Sequence, residues 1–80
     1  MTPEEAIIDL VEARGAEKSI CPSEAARRLD ADDWRNLMPT VRAAAARLAD
    51  EGRVVVMQRG EAVDPRAAKG PIRIALRRRP

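Results

Sequence analysis

The side chains best equipped for chemistry in this sequence are arginines. Arg42 and Arg47 flank an alanine stripe in the run 41–50, and Arg59, Arg66, Lys69 and Arg73 lie in or beside a segment bracketed by Gly60 and Gly70. A guanidinium offers a planar fork of N–H donors that matches a phosphate or a guanine edge. Asn36 adds an amide and Thr40 a hydroxyl near the head of the alanine-rich run. Together Asn36, Thr40, Arg42, Arg47, Arg59, Arg66, Lys69 and Arg73 form a candidate nucleic-acid-binding set. The chemistry would be phosphate contact, in which each neutralised phosphate releases counterions and steepens the salt dependence of binding.

Each part of that set has a plainer explanation beside it. Alanine is the best helix former, so the stripe also follows from helix propensity. Outward positions 42, 43, 46, 47 and 50 carry little amide or hydroxyl chemistry, so strong sequence reading is not expected. Glu61 and Asp64 are close enough in sequence to pair with the loop cations. A helix face of small residues also suits docking onto a protein or onto a second copy of the chain. The sequence therefore leaves two readings open, double-stranded DNA or a protein partner, a homodimer included.

Other reactive groups point away from catalysis. Cys21 precedes Pro22-Ser23-Glu24, where a helix start can lower a thiol pKa, but the chain has no His to act as its base. A buried or capping role fits it better. Asp30, Asp32 and Asp33 lack the glycine and distal glutamate of a calcium loop and suit a helix cap. Trp34 is the only aromatic residue, which makes it the expected plug of the core rather than one of several stacking platforms. There is no phosphate-binding glycine loop and no serine triad. No enzyme activity, cofactor, metal or small-molecule substrate is expected.

The chain as a whole sets the scale. Eighty residues allow one small domain, which buries only roughly 60% of its unfolded surface. One cysteine permits no internal disulfide and suits a reducing cytoplasm. The acids at Glu4, Glu5 and Asp9 do not fit a secretion signal, and no apolar run is long enough to span a membrane. Net charge is +2, unevenly spread: residues 1–52 hold 7 basic and 11 acidic side chains, residues 53–80 hold 8 and 2. A basic rear half suits a polyanion, and equally a solvated hairpin with a charged tail. Arginine supplies 13 of the 15 basic residues, which with 15 alanines points to biased composition more than to selection for phosphate.

The elements that would position these groups can be read in order. Thr2-Pro3-Glu4-Glu5 predicts a capped helix over 3–14, stopped by Gly15. Ser19-Ile20 predicts a short strand. A second helix over 22–29 presents Ala25, Ala26 and Leu29 inward. Pro39 separates a short helical piece from a third helix, about 39–50, with Val41, Ala44, Ala45 and Leu48 on its core face. The β-branched run 53–59 predicts a strand. Residues 60–70 form a loop with a turn at Val63-Asp64-Pro65, and 71–77 alternates with Ile72, Ile74 and Leu76 inward. The expected fold is α+β, mostly α: a winged helix-turn-helix of three helices with a two- to three-stranded wing sheet. It would be one domain, residues 1–77, with a basic tail at 78–80.

Several stretches resemble a small bacterial family of uncharacterised winged-helix domains. They are Ile20-Cys21-Pro22-Ser23-Glu24, Trp34-Arg35, Leu37-Met38-Pro39, Val41-Arg42, Glu51-Gly52, Gln58-Arg59-Gly60, Val63-Asp64 and Lys69-Gly70-Pro71-Ile72-Arg73. The resemblance implies a fold and no activity.

Overall fold

The structure, a computed structural model, describes residues 1–15 and 17–77. The first helix, α1 (Pro3–Arg14), starts with a reciprocal cap. The Thr2 hydroxyl accepts the Glu5 N–H at 3.1 Å, and the Glu5 carboxylate accepts the Thr2 N–H at 2.7 Å. Two of the orphan donors at the helix start are thereby satisfied. Gly15, at φ 98°, ends the helix in a backbone region that side chains disfavour. Strand β1 (Ser19–Ile20) leads into α2 (Pro22–Leu29). Glu24 both accepts the Cys21 N–H at 2.8 Å and pairs with Arg14 of α1, so one carboxylate starts α2 and ties it to its neighbour.

Asp30 then accepts the N–H groups of Asp32 and Asp33, each at 3.0 Å, and a single 3-10 turn follows over Trp34–Leu37. The third helix, α3 (Met38–Asp50), begins there, with Pro39 in the first turn, where its missing N–H costs nothing. Strands β2 (Val54–Gln58), β3 (Glu61–Ala62) and β4 (Arg73–Leu76) complete the chain. All pairings are antiparallel, in the order β1-β4-β2-β3.

Register explains the core. Ile20 pairs with Ile74, and Ile74 with Val56, so one apolar row crosses the sheet on the face covered by the helices. These three are buried together with Ile7 and Val11 of α1, Ala25 and Ala26 of α2, and Val41, Ala44, Ala45 and Leu48 of α3. Each fully buried Ile or Leu contributes about 1.5–3 kcal/mol. Alanines carry little apolar area, but they let α2 and α3 approach each other and the sheet. The result is three helices on a four-stranded antiparallel sheet, an α+β fold consistent with a winged helix.

Three local expectations need correction. The sheet has four strands rather than two or three, because the 60–70 segment is not a single loop. Arg59 and Gly60, at φ 54° and 83°, form a two-residue hairpin turn that pairs Gln58 with Glu61 and adds β3. Two successive positive φ values match the right-handed strand twist, and they favour Asn-Gly over a bulky first residue. Second, Leu76 packs inward against the core as expected, but Ala75 on the opposite face of the strand is also buried, at 8% exposed. Arg73, on the same face as Ala75, reaches over to Ser19 Oγ at 2.9 Å and Ser19 O at 2.8 Å. Third, Trp34 is not the central plug: it is half-buried at the core margin, while Ile7, Ile20, Leu48, Ile72 and Ile74 are the largest fully buried side chains. The 78–80 tail lies outside the described residues.

The caps make stability depend on acid pH. The Arg47 hydrogen bond holds Glu4 below the ordinary carboxylate value of 4.5. The Thr2 N–H does the same for Glu5. Burial pushes Glu24 up, but the Cys21 N–H and Arg14 together outweigh it and leave its pKa lowered. Depressed folded-state pKa values stabilise the fold above the unfolded value, and this contribution is lost as pH falls through the folded values. Thermal unfolding followed by circular dichroism should therefore show a melting temperature flat near neutrality and falling below about pH 4.5. Glu24→Gln should lower the neutral-pH value and shallow the acid fall.

Candidate nucleic-acid interface

The segment after β3 determines what α3 can offer. Asp64 opens its turn, its side chain accepting the Arg66 N–H and its carbonyl the N–H groups of Ala67 and Ala68. Pro65 is buried against α3, and the open grooves beside it are lined by Ala46, Ala49 and Asp50 on one side and by Met38, Arg42 and Ala43 on the other. Arg66 reaches back to Asp50 at 2.9 Å and lies 3.6 Å from Asp64. The Asp50 hydrogen bond raises the Arg66 pKa, outweighing the opposing effect of desolvation.

The segment 68–71 is then held from two directions. Arg42 donates to the carbonyls of Ala68, at 2.7 Å, and Gly70, at 3.2 Å. The Gln58 amide donates to the carbonyls of Lys69 and, at 3.1 Å, Pro71. The carbonyls of Ala68 and Gly70 face Arg42 and those of Lys69 and Pro71 face Gln58, with Gly70, at φ 87°, bending the chain among them. A guanidinium and a primary amide are suited to this because each carries at least two N–H groups.

This packing redistributes the candidate set. On α3, Ala46 is not outward but 1% exposed, and Arg42 is half-buried under the segment it holds. The open strip of the helix is Pro39, Thr40, Ala43, Arg47 and Asp50. Arg47 leans to α1 and forms two hydrogen bonds to Glu4, at 3.0 and 2.7 Å. Asn36 is exposed and donates to Asp33 at 2.6 Å. Arg73 lies on the sheet face away from the helices, over Ser19. Lys69 and Arg59 are exposed and have no carboxylate partner among the described residues. Arg42, Arg66 and Lys69 are thus brought together where the 64–71 segment crosses α3, with Arg59 next to Gln58 at the hairpin tip and Thr40 on the open strip of the helix. Arg47 and Arg73 turn elsewhere. The periodicity of α3 alone placed Ala46 outward; only the loop's return over the helix buries it.

The remaining reactive groups are accounted for. Cys21 is half-buried at the head of α2, and its sulfur accepts the Ser23 hydroxyl at 3.2 Å. Among the described residues, no group of three or more His, Cys, Asp or Glu is gathered as a metal site would require. No helix of the described residues is long and apolar enough to cross a membrane.

Arg42→Ala should release two carbonyls of the 68–71 segment. Hydrogen bonds from a charged donor contribute about 1.5–3 kcal/mol each when sheltered, so about 1–2 kcal/mol in total is expected for this half-exposed pair. Chemical denaturation measures that loss. Hydrogen exchange should accelerate across 63–71 and stay unchanged in α1; uniform acceleration would contradict the local role. Arg42→Lys, which cannot span both carbonyls, should fall between the two.

The model of a family described as protein of unknown function (DUF3253) matches residues 2–77. No curated protein matches the chain.

Proposed function

We propose, from the premise that the chain belongs to the family of proteins of unknown function DUF3253, that it is a non-catalytic winged-helix module. In this reading it holds double-stranded DNA by the backbone with modest sequence specificity. The observation that carries the reading is the contrast between tied and untied cations around α3. Arg42, Arg47 and Arg66 are committed to carbonyls or carboxylates of the protein itself, while Lys69 and Arg59 stand free of carboxylates beside them. Cations free at a hairpin edge suit phosphate neutralisation. The open α3 strip offers Thr40 as its hydroxyl and is otherwise short of base-reading groups, which supports backbone grip over base reading.

Arg59 adds weight. A bulky residue at φ 54° is strained, and Asn or Gly would relieve that strain. Strain kept at an exposed tip is a reason to look for a role of the side chain. A cytoplasmic setting belongs to the same reading and is supported by the free thiol of Cys21.

A second reading, a protein-docking or homodimer module, is favoured by the pairing of Arg66 with Asp50 and Asp64 and of Arg47 with Glu4. It must contend with a surface on which Met1 is the only large apolar side chain well exposed among the described residues. Stable interfaces centre on buried aromatic, arginine or aliphatic anchors.

Anisotropy of a labelled duplex across salt concentrations tests the first reading. Binding should weaken log-linearly with salt, and Arg59→Asn with Lys69→Gln should lower the slope by about 1.8, to a similar extent on unrelated sequences. Asn suits the hairpin turn, so this variant should fold at least as stably. Absence of salt-sensitive binding at low ionic strength would overturn the reading. Light scattering tests the second: a dimer that forms with rising concentration while duplex binding is absent would establish it.

A further inference from the structure

Trp34 lies outside the candidate set, yet it gathers free donors at the head of α3. Its ring packs on the core margin, and the guanidinium carbons of Arg27 and Arg35 each lie 4.4 Å from the ring centroid. Both arginines are exposed and neither has a carboxylate partner among the described residues. The nearby acids are engaged elsewhere or stand apart. Asp30 accepts backbone N–H groups, Asp33 accepts the Asn36 amide, and Asp32 pairs with neither arginine. The indole N–H has no acceptor among the described residues and is not sealed from solvent.

Two like charges held against one ring repel each other, and an exposed ring face offsets only part of that. An oxyanion would remove the repulsion. Stacking on an aromatic face also leaves the in-plane N–H groups of a guanidinium directed outward, the geometry that takes phosphate oxygens in pairs.

We propose that Arg27, Trp34 and Arg35 form a phosphodiester-binding site that grips the DNA backbone at the head of α3. The proposal rests on the nucleic-acid reading above and extends it to residues outside the candidate set. Arg35 stands just before α3, and Lys69 lies beside Arg42, about one helical turn into it. Cation sites at both ends of the first turn, with Pro39 and Thr40 exposed on it, suit a regular line of phosphates. A phosphorylated peptide would need seats for its own apolar side chains, and the one apolar group of the site, the half-buried Trp34 ring, is already covered by the two guanidinium groups.

Trp34 is the sole tryptophan and the chain has no tyrosine, so its fluorescence reports this site alone. A short labelled duplex titrated into the wild type should give a saturable change in Trp34 emission that tracks the anisotropy. Arg27→Gln with Arg35→Gln should weaken duplex binding about tenfold at low salt and lower the salt slope by about 1.8. Arg27→Lys with Arg35→Lys, which keeps charge and loses the fork, should fall between. Melting by circular dichroism checks that each variant folds. If the wild type binds duplex and the Gln variant binds it equally with the same slope, the site is refuted while the nucleic-acid reading stands. If the wild type shows no salt-sensitive binding, both fall. A charge-matched phosphoserine peptide that binds more tightly than duplex, with the same Trp34 response, would assign the patch to a protein partner and overturn the proposal.

Discussion

Irregular backbone on the surface of a small domain must still satisfy its carbonyls, and the way this chain does so governs the rest of its surface. The four carbonyls of 68–71 are divided between one guanidinium from α3 and one amide from β2. Because Arg42 and Gln58 come from different elements, the segment is drawn down between them. That brings Pro65 onto α3, buries Ala46 and sets Arg66 opposite Asp50. The helix face left open is accordingly narrower and more neutral than an isolated amphipathic helix would present.

The core beneath accepts this because it is built from small and β-branched residues. The row Ile20, Ile74 and Val56 is continued by Val41, Ala44, Ala45 and Leu48 of α3, and no aromatic ring separates the layers. Trp34 is displaced to the margin, where the guanidinium groups of Arg27 and Arg35 cover its ring. A domain with so little buried area per residue depends on its caps and inter-element ion pairs more than a larger one would. Glu24 is the clearest instance, serving at once as the cap of α2 and the partner of Arg14.

These constraints bear on function through charge. The cations divide into those that complete the fold and those that do not. Arg14, Arg28, Arg42, Arg47, Arg66 and Arg73 are engaged by protein groups, whereas Arg59 and Lys69 lack carboxylate partners and Arg27 and Arg35 rest on an aromatic face. Net charge gives no such division, since a guanidinium on a carbonyl counts the same as one in solvent.

Much of the architecture was legible in the sequence because it follows from local rules. The Thr2–Glu5 cap, the Gly15 stop, the pause before Pro39, the helix spans and the core face of α3 are set by residues within a few positions of one another. The Arg59-Gly60 turn was local too, but an arginine in place of the usual Asn hid it, and β3 with it. Ala75 was less legible, because its burial depends on the strands on either side of it, which set Ser19 and Val55 against it. The candidate site was legible only as an inventory of donors. Whether Arg42 faces solvent or a carbonyl, whether Ala46 is open or covered, and whether Arg66 meets a phosphate or Asp50 depend on contacts between residues 16 to 28 positions apart. Periodicity carries the direction of a side chain from its own element, not the element that returns to cover it. Tertiary structure alone decided that.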